Sequence, residues 1–225
     1  MTPSTISKCA IILLGAPGAG KGTQAEKLAN KFELHKIATS VILHEKVRTA
    51  SHDPEVQQVK ETMERGELVE PELVARWLIE EIKNLAQQDV SIIFDGSPRT
   101  LFEAEVEFPV LHEEYGERMF VFLIRISDDQ TLFRNSHRRI CTTCKHPLLY
   151  TEETKDLRTC PECAGELVQR PDDVPEVIKK RLEEYHTRTE PVIAFFREHW
   201  RVIDINGEQS VEKVYNDILG YLSDI

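Results

Sequence analysis

A parallel sheet of five strands, with helices on both of its faces, is the architecture expected of this 225-residue chain. Three observations point there. Short, mostly apolar runs alternate with segments patterned for helix, the first run passes directly into a glycine-rich turn containing a lysine, and two polar stretches have no strand of their own to follow.

The apolar runs are Cys9 to Leu14, Leu34 to Ile37, Ser91 to Asp95, Arg118 to Ile124 and Arg201 to Ile205, suited to parallel strands covered on both faces. After the first run comes Gly15-Ala-Pro-Gly-Ala-Gly-Lys-Gly-Thr23, and Gln24 to Phe32 then continues as helix. A strand feeding such a turn at a helix N-terminus lets backbone N–H groups converge on an anion, with Lys21 as a point charge. That is a phosphate-binding loop. Gly15, Gly18, Ala19, Gly20, Gly22 and Thr23 are its other candidate contacts; side chains at the glycines would hold phosphates away. Pro71 to Gln87, Thr100 to Glu114, Val174 to Trp200 and Ser210 to Leu222 carry apolar residues at helical spacing and serve as crossovers, with Pro191 kinking or interrupting the third. The stretch 38–69 reads as short helices broken near Asp53-Pro54, and 134–173 holds most of the cysteines. Both are read as inserts over the carboxyl edge of the sheet, where open α/β folds bind ligands. The remaining segments, 1–37, 70–133 and 174–225, form the core.

A hydrophobic content of 40% and a charged content of 30% are those of an ordinary soluble protein. No run approaches a membrane span, and Met1 to Lys8 lacks the pattern of a signal peptide, so a cytoplasmic location without a membrane partner is expected. The net charge of −11 argues against a nucleic-acid partner, including one bound through a zinc ribbon. Lys21, Arg99, Arg134, Arg138, Arg139, Arg170 and Arg181 oppose that overall sign locally.

Cys141-Thr-Thr-Cys144 and Cys160-Pro-Glu-Cys163 are two C-x-x-C pairs with fifteen residues between them. Such knuckles place four thiolates around a structural zinc; redox pairs are the competing use, disfavoured by two motifs flanking one short polar loop. Cys9, inside the first run, is read as a small core residue.

The generic phosphate-loop pattern G-x-x-x-x-G-K-[ST] would place Ser or Thr at position 22, but this chain has Gly22 and then Thr23. A second block, Asp95-Gly-Ser-Pro-Arg-Thr100, closes the third strand. An Asp there can hold magnesium through its waters, and an Arg four residues on can grip a phosphate bidentately. Together these blocks resemble the adenylate kinase family of nucleoside monophosphate kinases, whose Asp-Gly-Phe-Pro-Arg-Thr this chain matches except at Ser97. The resemblance spans nearly the whole chain, and four cysteines in the second insert are similar to those of zinc-bearing members.

The resemblance implies a mobile lid entered at Arg134-Asn-Ser-His-Arg-Arg139, with Arg134 packing on the adenine of ATP and Arg138 contacting its phosphates. It implies further phosphate or catalytic roles for Arg99, Arg170, Asp172, Asp173 and Arg181, magnesium at Asp95, and donor-adenine contact at Gly207. On the acceptor side it implies Thr39, Val69, Gly96, Arg99 and two substituted positions. His44 stands where the family has an arginine, and imidazole lacks guanidinium's permanent charge and planar fork. Glu103 stands where a Gln reads the adenine edge. Val41 and Ser97 are further departures. The function implied is ATP-dependent phosphorylation of a monophosphate, AMP by default, by a monomer. The alternatives are another acceptor such as GMP, or a weakly catalytic ATP-binding switch.

Overall fold

A computed structural model of the chain describes residues 7–50, 52–64, 69–144, 146–150, 154–169 and 173–222. Strand β1 (Ala10–Leu14) is buried throughout, and its residues alternate between two cores because successive strand side chains point to opposite faces. Next come α1 (Lys21–Phe32), β2 (His35–Ile37), α2 (Thr39–Thr49), α3 (Pro54–Glu64), α4 (Pro71–Gln87), β3 (Ile92–Asp95), α5 (Leu101–Tyr115) and β4 (Met119–Arg125). The chain continues through α6 (Asp128–His137), short strands β5 (Arg139–Cys141), β6 (Pro147–Leu148) and β7 (Leu167–Gln169), then α7 (Pro175–Glu184), α8 (Glu190–His199), β8 (Val202–Asn206) and α9 (Val211–Leu222).

The five expected strands form one parallel sheet in the order β2-β3-β1-β4-β8. Ala10, Ile12 and Leu14 face α4, α5 and α8 through Leu78, Ile82, Ala104, Leu111, Val192 and Phe196, while Ile11 and Leu13 face α1 and α9 through Ala25, Leu28, Val214 and Ile218. The three-layer α/β/α fold follows. Because β1 lies between β3 and β4, a crevice opens at their carboxyl ends, the place where open sheets bind ligands. Leu13 is in register with Asp95, so the glycine-rich turn and the Asp95 loop emerge together on that edge.

Three features differ from expectation. Helix α6 gives no apolar signal, because the residues it buries are Thr131 and Asn135; the Ser127 hydroxyl caps it by accepting from the Gln130 N–H. The second insert, for which no strands were assigned, carries an antiparallel sheet in the order β6-β5-β7, with strands of two or three residues that are too short to show periodicity. The long C-terminal helix is interrupted before Pro191 rather than at it: a π-helical turn, Tyr185–Thr189, separates α7 from α8. Proline has no N–H for the carbonyl four residues earlier, and its ring crowds that carbonyl, so the preceding turn widens. In the first insert α2 and α3 pack on α4 around Val56, Val59 and Trp77, with Val69 alongside. Among the described residues no helix is long and apolar enough to cross a membrane.

Candidate active site

The glycine-rich turn joins β1 to α1. Gly15 has φ +145°, and a Cβ there would lie 2.4 Å from the Ile124 carbonyl oxygen of β4, so only glycine lets the turn leave the sheet this closely. A Cβ at Gly22 would stand 3.3 Å from Asp95 Oδ2. The missing Cβ keeps the Asp95 carboxylate clear on the side facing the turn, which accounts physically for Gly22 in place of Ser or Thr. Gly18, Ala19, Gly20 and Thr23 line a cavity of about 210 Å³ together with Arg134 and Gly207.

Lys21, at the start of α1, donates to the carbonyls of Gly15 at 2.6 Å and Ala16 at 2.9 Å. Burial pushes its ammonium down to about 8; Asp95 partly restores it, and the guanidiniums of Arg99, Arg181 and Arg138 lower it further. Guanidiniums from three distant segments therefore act on Lys21 at the sheet's carboxyl edge. A polyanion placed among them relieves their repulsion and returns Lys21 toward ordinary lysine behaviour. ATP binding should consequently take up a proton, and kcat/KM for ATP should fall above about pH 8, where free Lys21 loses its charge. Calorimetry in buffers of different ionisation enthalpy reads the proton directly; uptake of none on the alkaline side would remove Lys21 from the phosphate contacts.

Arg138, at the end of α6, grips the fully buried Asp173 bidentately, its Nε 2.9 Å from Oδ2 and its Nη2 2.6 Å from Oδ1. Arg181, on α7, lies 3.7 Å from the same Oδ1. Gln169 ties the segment down by donating to the carbonyls of Asp173 and Ser136, both at 3.0 Å. Arg134 donates to the Gly207 carbonyl at 2.8 Å, linking α6 to the loop after β8. Arg170 and Asp172 lie outside the described residues.

Arg99 is exposed beyond β3, with its Nε on the Gly96 carbonyl, and its own carbonyl accepts from the Thr189 hydroxyl at 3.1 Å. Glu103 has an evident local task. Thr100 and Glu103 form a capping box for α5, in which Glu103 Oε2 accepts from the N–H groups of Arg99 at 2.5 Å and Thr100 at 3.3 Å. Of the residues expected on the acceptor side, Arg99 alone acts on Lys21; Thr39 begins α2, His44 and the divergent Val41 are exposed along it, and Val69 packs beside the Trp77 core.

The four lid cysteines converge. Their Sγ atoms all lie within 4.8 Å of one another, with Cys141–Cys163 at 3.5 Å and Cys144–Cys160 at 3.6 Å. A tetrahedral zinc with bonds of about 2.3 Å requires sulfur–sulfur edges of about 3.8 Å, so the donor set fits. The N–H groups of Cys144 and Thr143 point at Cys141 Sγ from 3.5 and 3.4 Å. The Cys144 N–H does most to pull that thiol down to about 6 against desolvation, favouring the thiolate a metal needs.

Sequence reasoning assigned no task to Asn135. It is buried in α6 and donates to the Pro17 carbonyl at 3.2 Å and the Thr131 carbonyl at 2.8 Å, bracing the glycine-rich turn from above. An Asn between Arg134 and Arg138, inside one motif, was the available signal.

A family model described as adenylate kinase matches residues 13–201. The chain is 39% identical over 215 residues to an adenylate kinase of Caldicellulosiruptor bescii, covering 93% of this chain and 96% of that one. It is 36% identical over 213 residues to that of Petrotoga mobilis, covering 94% and 96% of the two chains. The adenylate kinase of Archaeoglobus fulgidus is 34% identical over 217 residues, with 96% and 98% covered. Similarity at this level over nearly the full length of both partners makes this chain a member of the adenylate kinase family.

Proposed function

We propose that this nucleoside monophosphate kinase transfers the terminal phosphoryl group of magnesium ATP to AMP, giving two ADP. The observation that carries the reading is the convergence of Arg99, Arg138 and Arg181 on Lys21, opposite Asp95, at the mouth of the phosphate-binding turn. Phosphoryl transfer needs little covalent chemistry from a protein; it needs two nucleotides held in line and charge neutralised on the moving group. The acceptor's phosphate oxygen attacks, the leaving oxygen stays on ADP, and Lys21 with the arginines meets the negative charge spread over the equatorial oxygens. The family resemblance gives Arg170, Asp172 and Asp173 further roles in the reaction, Asp173 by holding Arg138 beside Arg181, and Arg134 with Gly207 flanks the donor base. Magnesium, when bound, would offset the charge of the donor phosphates. Asp95 would hold it through water, on the side that Gly22 leaves clear.

In this reading 38–69 is the acceptor insert and 134–173 a lid that excludes water from the reaction, both carried by a core of 1–37, 70–133 and 174–225. The four cysteines hold a structural zinc that keeps the lid a rigid flap. A coupled assay against AMP, GMP, CMP and UMP tests the reaction, and phosphorylation of none of them would leave only an ATP-binding switch.

The acceptor base turns on Glu103. Adenine offers one donor and one acceptor, which a Gln amide matches, whereas an ionised carboxylate only accepts, a mismatch of about 1–3 kcal/mol. A capping box accepts Gln as well as Glu at its third position, so Glu103→Gln changes base reading while keeping the helix start. Glu103→Gln should raise kcat/KM for AMP about tenfold or more, lower any GMP activity and leave Tm nearly unchanged; His44→Arg should improve AMP further by restoring a phosphate fork. Unchanged acceptor kinetics in Glu103→Gln would confine Glu103 to capping α5.

A further inference from the structure

One buried acid has no part in the chemistry above. Glu107, in α5, has none of its surface exposed. It shares a helix face with Ala104 and Leu111, both members of the apolar core that α4 and α8 complete through Leu78, Ile82, Val192 and Phe196. Its Oε1 is 3.5 Å from the Ser97 hydroxyl, and its Oε2 has no hydrogen-bond partner among the described residues. Burial, and after it the Glu103 carboxylate on the preceding turn, pushes the Glu107 carboxyl well above the usual carboxylate range, with Ser97 opposing. An apolar residue in this place would cost nothing of the kind.

Ser97 is itself buried, and it stands where the family motif has Phe. The hydroxyl and the acid are thus a matched polar pair in a core position. The loop they join is the one running from Asp95 to Arg99. Helix α5 in fact presents two carboxyls, four residues apart, to that single loop: Glu103 takes the N–H groups of Arg99 and Thr100, and Glu107 meets the Ser97 side chain. A neutral carboxylic acid can donate through its O–H as well as accept, so it can hold a hydroxyl in either sense; a carboxylate only accepts.

We propose that Glu107 is a positioning residue that fixes Ser97 and thereby sets the Asp95–Arg99 loop for phosphoryl transfer. Its kinetic consequence rests on the kinase reading; its protonation state does not.

Three variants test it: Glu107→Leu, Ser97→Ala and Glu107→Gln. Glu107→Leu should raise Tm by a few degrees, because an uncompensated polar group leaves the core, and yet lower kcat about tenfold with KM for ATP unchanged. Ser97→Ala should lower kcat to the same degree, and the double variant no further, since the two residues act as one unit. Glu107→Gln, neutral at every pH, should keep kcat. The folded carboxyl holds its proton above the unfolded range, so wild-type stability should fall relative to Glu107→Gln as pH rises through and beyond the ordinary carboxylate range. Glu107→Leu with undiminished kcat, or with kcat and Tm lost in step, overturns the positioning role, and parallel Tm–pH curves for wild type and Glu107→Gln overturn the neutral acid. A wild type that phosphorylates no monophosphate defeats the kinase reading instead, while the Tm–pH comparison still decides whether Glu107 is neutral.

Discussion

Lys21→Met lowers kcat by about a thousandfold or more while the protein stays folded. The ammonium sits where α1 begins, on the carbonyls of Gly15 and Ala16, and is the cation on which Asp95, Arg99, Arg138 and Arg181 all act. Methionine keeps the length of the stem and removes the charge, so the loss falls on the negative charge that builds between donor and acceptor in the transition state. Ground-state affinity for ATP should fall far less, because the backbone N–H groups of the turn remain. The fold loses two hydrogen bonds at a half-buried site but also sheds a cation crowded by three guanidiniums, and these effects offset in Tm. A coupled assay and a melting curve read both. Turnover near that of wild type would separate the glycine-rich turn from the reaction.

Cys141→Ser or Cys160→Ser should lower Tm by more than about 10 °C, with kcat at low temperature changed less than about threefold. Among the described residues of 139–169, the buried hydrophobic side chains are Cys141, Leu148 and Cys160. Three strands of two or three residues with so little apolar burial cannot hold themselves together, so a zinc held by the four converging thiols would take the place of a core. The proposed phosphate contacts lie outside this cluster, on α6, α7 and the sheet edge. Elemental analysis should find about one zinc per chain, and strong chelation should reproduce the serine phenotype. Gently purified protein that is metal-free, or a Cys141–Cys144 disulfide as its normal state, would defeat the zinc site.

The sheet was legible because its central strands β1, β3 and β4 are buried almost throughout and so must be apolar; the edge strand β2 exposes His35 and Lys36, yet every strand of the five begins and ends within one residue of its expected run. Helix α6 was not, since its inward side is Thr131 and Asn135, of which Asn135 satisfies the glycine-rich turn instead of filling a core. Glu103 shows a different limit. Thr100-Leu-Phe-Glu103 spells a capping box in the sequence itself, and the same glutamate stands where the family motif has a base-reading Gln, so one position carries two readings that residue type alone does not separate. Glu107 was illegible for the opposite reason: a glutamate at a helical position reads as solvated, and only the three-dimensional placement shows it enclosed beside Ser97.

Asp173 bears on how the resting enzyme treats small anions. Its carboxylate already satisfies Arg138 in both directions and lies close to Arg181. A phosphate arriving at these guanidiniums displaces an internal anion that is held at no translational cost, so the net gain is the difference between two similar contacts. Free phosphate, sulfate or a stray carboxylate has nothing further to offer and should compete poorly. A nucleotide brings a base, a sugar and several phosphates to the same exchange, and selectivity for whole nucleotides over their fragments arises before any base is read.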